Sequence, residues 1–257
     1  LALLAKRYNL MMLVGSQHAA LDESSLEDTY RIVRETNPDG FIVGNINPNA
    51  SIEDAKRAVK MIDADALSIH VNPAQELTMD EGDRDFSHWL DRINEINQAL
   101  DVPVIVKEVG FGMSRYTVNQ LRKIGVQNVD VSGKGGTNFI QIENDRSKKQ
   151  AFSYLQNWGL STVESLIDVR PLMNKIDVFA SGGIRNPLDL IKALSLGANA
   201  VGMSGFFLKL AQKEEEIMYE EMDRFIDELK RIMLLLGKKS PHELVDTDLI
   251  MEGRLKQ

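Results

Sequence analysis

The chain has 257 residues, 43% hydrophobic and 26% charged, with a formal charge of −8, which fits one large α/β domain or two small ones. It has no cysteine, which excludes disulfides, iron–sulfur clusters, thiolate metal sites and cysteine nucleophiles. No apolar run approaches the roughly 18 residues of a membrane span, no signal peptide opens the chain, and acidity without a basic patch argues against nucleic acid. A reducing cytoplasm is the simplest home for such a composition.

Leu1 to Tyr8 reads as the middle of a helix with no cap before it, so a preceding segment is expected. Met11 to Val14 is an apolar strand running into Gly15-Ser16-Gln17-His18. Leu26, Tyr30 and Val33 recur at helical spacing. Gly40 to Gly44 is the next strand and runs into Asn45-Ile46-Asn47-Pro48. Ser51 caps a helix with Ile52, Ala55, Val59 and Ile62 on one face. Ala66 to Ile69 is a buried strand ending in His70 and Asn72. Pro73 then ends the strand, and Gln75 and Glu76 are expected on a turn. Phe86 to Leu100 reads as a helix, and Val102 to Val106 as a strand ending in Lys107-Glu108.

Ser114 caps the helix carrying Val118, Leu121 and Ile124. Val129 to Val131 is a strand leading into Ser132-Gly133-Lys134-Gly135-Gly136-Thr137. Residues 138–159 are polar and read as a mobile surface connection. Ser161 to Glu164 is a capping box. The strand Ile176 to Ala180 ends in Ser181-Gly182-Gly183-Ile184-Arg185, and Asn186-Pro187 starts a helix that Gly197 stops. Ala200 to Met203 is the last strand. One long amphipathic region, from about Phe206 to Leu236, precedes a short final helix at Ser240-Pro241.

Seven strand–helix units result. Their strands are short, continuous and apolar, so they are buried on both faces and parallel. Polar and glycine residues collect after the strands, which is the pattern of a (β/α)8 TIM barrel with its active face at the strand C-termini. The expectation is a single domain over 1–257, with the first strand and an N-terminal segment outside this sequence. An open doubly wound sheet is the alternative.

His70, Asn72, Gln75 and Glu76 place one imidazole, two amides and one carboxylate at one strand end. That set suits a phosphorylated, metal-bound substrate. The two glycine loops, Ser181 to Arg185 and Gly202-Met203-Ser204-Gly205, let backbone N–H groups approach a phosphate, to which Arg185 adds a charge. Lys107 is costly at a strand end unless it meets an anion. A reduced flavin, anionic at N1 and the C2 carbonyl, is one partner; Glu108 or Glu76 is the other.

Together, Val14 to Gln17, Gly44-Asn45, His70 to Glu76, Glu81 to Phe86, Val106 to Glu108, Gly135 to Thr137, Trp158-Gly159 and Ser181 to Arg185 resemble the type 2 isopentenyl-diphosphate isomerases. The resemblance implies FMN in its reduced form, with NADPH as reductant, Mg²⁺, and interconversion of isopentenyl and dimethylallyl diphosphate. It implies FMN contacts at Ser16, Asn45, Lys107, Ser132, Thr137, Gly183, Arg185, Gly202 and Met203. It implies substrate contacts at His70, Asn72 and Gln75, with Gln75 and His70 as catalytic candidates, and a Mg²⁺ ligand at Glu76. His18 stands where many members have arginine, so diphosphate binding there becomes pH-dependent. A homo-oligomer, tetrameric or larger, is also implied. The competing readings are an FMN-dependent α-hydroxy-acid oxidase-like oxidoreductase and a non-catalytic phosphate- or FMN-binding barrel. The first calls for a histidine base where this chain has Ser132 to Gly136.

Overall fold

The computed structural model describes residues 1–147 and 151–256. Helix α1 (Ala2–Tyr8) leads to β1 (Met12–Leu13), α2 (His18–Asp22) and α3 (Asp28–Thr36). Then come β2 (Ile42–Ile46), α4 (Ile52–Met61), β3 (Ala66–Val71), α5 (Pro73–Thr78), α6 (Trp89–Ala99), β4 (Val104–Glu108) and α7 (Arg115–Lys123). The second half holds β5 (Asn128–Asp130), α8 (Phe139–Arg146), α9 (Thr162–Val169), β6 (Asp177–Ala180), α10 (Pro187–Ser195) and β7 (Ala200–Val201). Helices α11 (Ser204–Leu210) and α12 (Glu215–Leu235) close the series.

All seven strands are parallel and lie side by side in chain order. Parallel neighbours need a long crossover, and helices supply each one. The sheet therefore curls as a TIM barrel with one strand fewer than eight. Among the described residues no strand joins β7 to β1. The core runs between the sheet and the helix layer, with Leu67, Ile69, Ile96, Val106, Val118 and Val178 essentially inaccessible. Within the barrel, Val43, Ala66 and Ile105 form a separate small cluster.

Local chemistry fixes the helix starts. Ser51 and Asp54 form a reciprocal capping box on α4, and Ser161 and Glu164 do the same on α9. Asn186 caps α10 through the Asp189 N–H at 2.9 Å, with Pro187 in the first turn. These agree with the sequence reading.

Four expectations are corrected. Gln75 and Glu76 lie on helix α5, not on a turn, because Pro73 occupies its first position with φ already helical. The helix expected from Phe86 begins at Trp89. The long region from Phe206 is two helices. It breaks at Ala211 to Glu214 so that Met218 and Met222 of α12 pack on Leu4 of α1 and Leu210 of α11. In the connection 138–159, α8 is a helix with Ile140, Glu143 and Asn144 buried; residues 148–150 of that connection lie outside the described residues.

Truncating Leu67, which is fully buried in the main core, to alanine is expected to cost about 2–5 kcal/mol. Ser51→Ala, which removes an exposed cap, is expected to cost about 1 kcal/mol. Urea unfolding of the two variants checks both values, and their order is the more stringent outcome.

Candidate active site

The C-terminal ends of β2, β3 and β4 set the centre of the site. In the β3–β4 register His70 lies beside Lys107, and in the β2–β3 register Asn45 lies beside Ser68. Asn45 is buried. Its amide nitrogen donates to the Val14 carbonyl at 3.2 Å, and its Oδ1 lies 3.0 Å from His70 Nδ1. Burial first, and then the Lys107 charge, push the His70 imidazole down to about 4. The ring is therefore neutral at pH 7.

Lys107 Nζ donates to the carbonyl of Glu108 at 2.9 Å. No ion pair to Glu108, Glu76 or any other carboxylate exists for it among the described residues. The Glu108 carboxylate is turned away to accept the N–H groups of Val109, Gly110 and Phe111 at 2.7, 2.7 and 2.5 Å. Burial nevertheless outweighs these three donors and pushes Glu108 up to about 7.

One step along the chain, Asn72 donates to Glu76 Oε1 at 2.8 Å and to Gln75 Oε1 at 3.3 Å. Glu76 Oε2 accepts the Asp83 N–H at 3.0 Å. Gln75 Nε2 donates to Glu143 Oε1 at 3.1 Å, and Glu143 Oε2 accepts from Arg146 at 2.8 Å. Glu143 was not foreseen. Its signal was the spacing of Ile140, Glu143 and Asn144 along one helical face, which the polar composition of the segment concealed.

Beside this network a cleft of about 420 Å³ is lined by His18, Asn47, Asn49, Asn72, Glu76 and Asp83, among others. His18 opens α2, is 64% exposed, and lies 3.4 Å from Asp22. Asn49 clamps the far wall, donating to Asp83 at 2.6 Å and accepting from Trp89 at 2.8 Å.

Of the remaining predicted residues, Ser16 follows β1 on the cleft side, and the others follow β5, β6 and β7. Ser132, in a left-handed conformation with φ of 32°, follows β5. Its loop is pressed against the one after β6. A Cβ on Gly182 would lie 2.1 Å from the Gly133 carbonyl, and Gly182 has a φ of +86°, so only glycine fits there. Arg185 donates to the Gly135 carbonyl and so braces the two loops. Gly183 is partly exposed, whereas Arg185, Ser16, Thr137 and Gly202 are exposed. Met203 is buried at the start of α11. The loops after β6 and β7 are adjacent, since a Cβ on Gly202 would meet Ser181 at 3.0 Å. Thus His18, Asn72 and Glu76 come together around the cleft, with Gln75 hydrogen-bonded to Asn72 beside it, Asn45, His70 and Lys107 lie at the strand ends, and the glycine loops form the other half.

A sequence model of the FMN-dependent dehydrogenase family matches residues 18–251. The class is thus a flavin-dependent barrel. Mandelate oxidase shares the fold, with a TM-score of 0.64 and 15% identity over 95–96% of this chain and 70–71% of its own. A flavocytochrome b2 variant does so with a TM-score of 0.59 and 23% identity, over 82% of this chain and 55% of its own. Among curated proteins, the isopentenyl-diphosphate delta-isomerase of Listeria welshimeri is 51% identical over 100% of this chain and 72% of its own length. The isomerases of Latilactobacillus sakei and Staphylococcus saprophyticus are 48% and 46% identical, over 73% and 74% of their lengths. The chain belongs to the FMN-dependent, type 2 isopentenyl-diphosphate delta-isomerase family.

Half-buried His70 and buried Glu108 pull stability in opposite directions with pH. For His70, the unfolded chain titrates near 6.5 and the folded chain near 4. As pH falls through that window the unfolded state takes up a proton that the folded state refuses, and stability falls. For Glu108, the unfolded value is 4.5 and the folded value about 7. The folded state holds the extra proton in that window, so stability falls as pH rises. Glu108→Gln is expected to gain stability relative to the parent between about pH 5 and pH 7.5. Chemical denaturation at the two pH values measures the change.

Proposed function

We propose that this chain interconverts isopentenyl and dimethylallyl diphosphate, with reduced FMN and Mg²⁺ at the barrel rim. Two features found together support the reading. Lys107 is a half-buried cation without a carboxylate partner, and Glu76 is a carboxylate oriented by Asn72 and by the Asp83 N–H beside the cleft. The 46–52% identity to isopentenyl-diphosphate delta-isomerases selects this reaction among those of flavin barrels.

The residues fit both absent groups. For FMN, Lys107 offers the positive charge, and the interlocked loops at Gly133, Gly135 and Gly182-Gly183 offer close backbone approach. When bound in its reduced form, with NADPH as the reductant, FMN would supply acid/base chemistry to the reaction. For Mg²⁺, no cluster of three or more His, Cys, Asp or Glu could hold a metal among the described residues. Glu76 is the carboxylate that would hold a hard cation, with phosphate oxygens and water supplying the other ligands Mg²⁺ prefers. Each Glu76 oxygen accepts one hydrogen bond and keeps lone-pair capacity for a metal.

The chain's own contribution is to position and to hold charge. Asn72 fixes Gln75 and Glu76 together, so the metal ligand and the substrate amide move as one unit. Glu143 grips the other end of Gln75, which fixes the amide orientation: oxygen to Asn72, nitrogen to Glu143. Ser16, Ser132, Thr137, Gly183, Arg185, Gly202 and Met203 are proposed as FMN contacts alongside Asn45 and Lys107. His18 and His70 are proposed to face the diphosphate, and His70 and Gln75 to act in the reaction.

Turnover of isopentenyl diphosphate by the FMN-loaded protein, with dithionite and Mg²⁺, tests the proposal. Product formation that requires reduced flavin is expected. Glu76→Gln should lose about 100-fold or more in activity, with partial recovery at high Mg²⁺. Glu143→Ala should lower kcat by about tenfold through a loosened Gln75. Tight FMN binding with no isomerisation would remove this reading.

A further inference from the structure

The Asn45–His70 contact carries an inference that rests on the diphosphate reading above and extends it. Asn45 has no freedom to flip. Its nitrogen must face the Val14 carbonyl, which can only accept, so its Oδ1 must face His70. The Gln17 side chain holds the same residue from behind, accepting the Asn45 backbone N–H at 2.9 Å while its nitrogen donates to the Ala58 carbonyl. Gln17 is wholly buried. An amide oxygen can only accept, so His70 Nδ1 carries the hydrogen and Nε2 holds the lone pair of the neutral ring.

We propose that Asn45 is a positioning residue that locks neutral His70 as the Nδ1–H tautomer, so that His70 engages the substrate diphosphate only by taking up a proton at Nε2. A phosphate oxygen accepts hydrogen bonds and repels a lone pair, so the neutral locked ring has nothing to offer it. The other tautomer would have donated without a change of charge. The proton comes from solvent, and the incoming anion supplies the charge that stabilises it. Two titratable groups from other elements face the ring, Lys107 from β4 and His18 from α2, and a positive charge on either opposes protonation until an anion arrives. Burial acts in the same direction, while the Ile46 carbonyl favours the proton. His70 thus discriminates against neutral or weakly charged ligands, because only a ligand of high negative charge recovers the cost of the proton.

The chain has four histidines, so ring-¹⁵N spectra of the FMN-loaded protein are readable, with His70→Asn identifying the resonance. Oxidised FMN blocks turnover and allows isopentenyl diphosphate with Mg²⁺ to be added as a ligand. The expected free state at about pH 7.5 is neutral with the hydrogen on Nδ1; the expected bound state has both nitrogens protonated. Calorimetry in two buffers of different ionisation heat should give uptake of about one proton per ligand, and affinity should weaken about tenfold per pH unit above neutrality. In Asn45→Leu the free ring should shift toward the Nε2–H form and proton uptake should fall by more than half. An Nε2–H tautomer in the parent protein overturns the lock, whatever the ligand does, and needs no variant that folds. A bound diphosphate over a neutral ring overturns the proton uptake alone. Neither heat nor ring shift in an FMN-loaded protein overturns the diphosphate reading itself.

Discussion

His70 and Lys107 lie side by side in the register of β3 and β4, and the rim is built around the cost of that neighbourhood. Adjacent strands are about 4.8 Å apart. Two unit charges at that spacing repel by about 3 kcal/mol at an effective dielectric of about 20. Neutralising a lysine at pH 7 costs about 5 kcal/mol, whereas an imidazole is mostly neutral there already. Burial first and this repulsion second hold the histidine neutral, and among the described residues no carboxylate pairs with the Lys107 ammonium. A half-buried cation left in this state is a standing demand for an anion. Among the described residues no acidic side chain meets that demand. Glu108, the obvious candidate, is occupied by three backbone donors of its own loop.

The same economy of partners runs through the loops. Glu108 folds Val109 to Phe111 into place, and the Phe111 carbonyl then accepts the Leu160 N–H. Gly112 donates to the Ser132 carbonyl. The loops after β4 and β5 and the strand-like entry to α9 are thereby tied together before any ligand binds. On the other side, the single Thr162 O–H is shared between the carbonyls of Ser181 and Gly182 at 2.8 and 2.6 Å. Glycine is required where these loops cross because backbone meets backbone, so the glycine pattern records loop packing as well as room for a phosphate.

Much of this was legible in the sequence. Continuous apolar strands announced a parallel barrel, and Ser51, Ser114, Ser161 and Asn186 announced four helix starts, because both signals are local. His70 to Glu76 stood out because four polar groups followed one buried strand. What was hidden depends on contacts distant in sequence. Glu143 meets Gln75 across 68 positions, and a polar helix that buries only part of one face carries a weak periodic signal. Asn45 read as a group free to meet a flavin, but its Oδ1 is turned to His70 and one amide hydrogen to Val14. The break between α11 and α12 was also invisible, since it answers to α1, some two hundred residues earlier.

Lys107 is proposed to hold its unpaired charge for the reduced flavin. The direct measurement is the two-electron reduction potential of bound FMN in the parent protein and in Lys107→Met. Removing the cation should move the potential to a more negative value, because a positive neighbour favours the more anionic, reduced form. An unchanged potential, with FMN bound equally well to both proteins, would contradict the account.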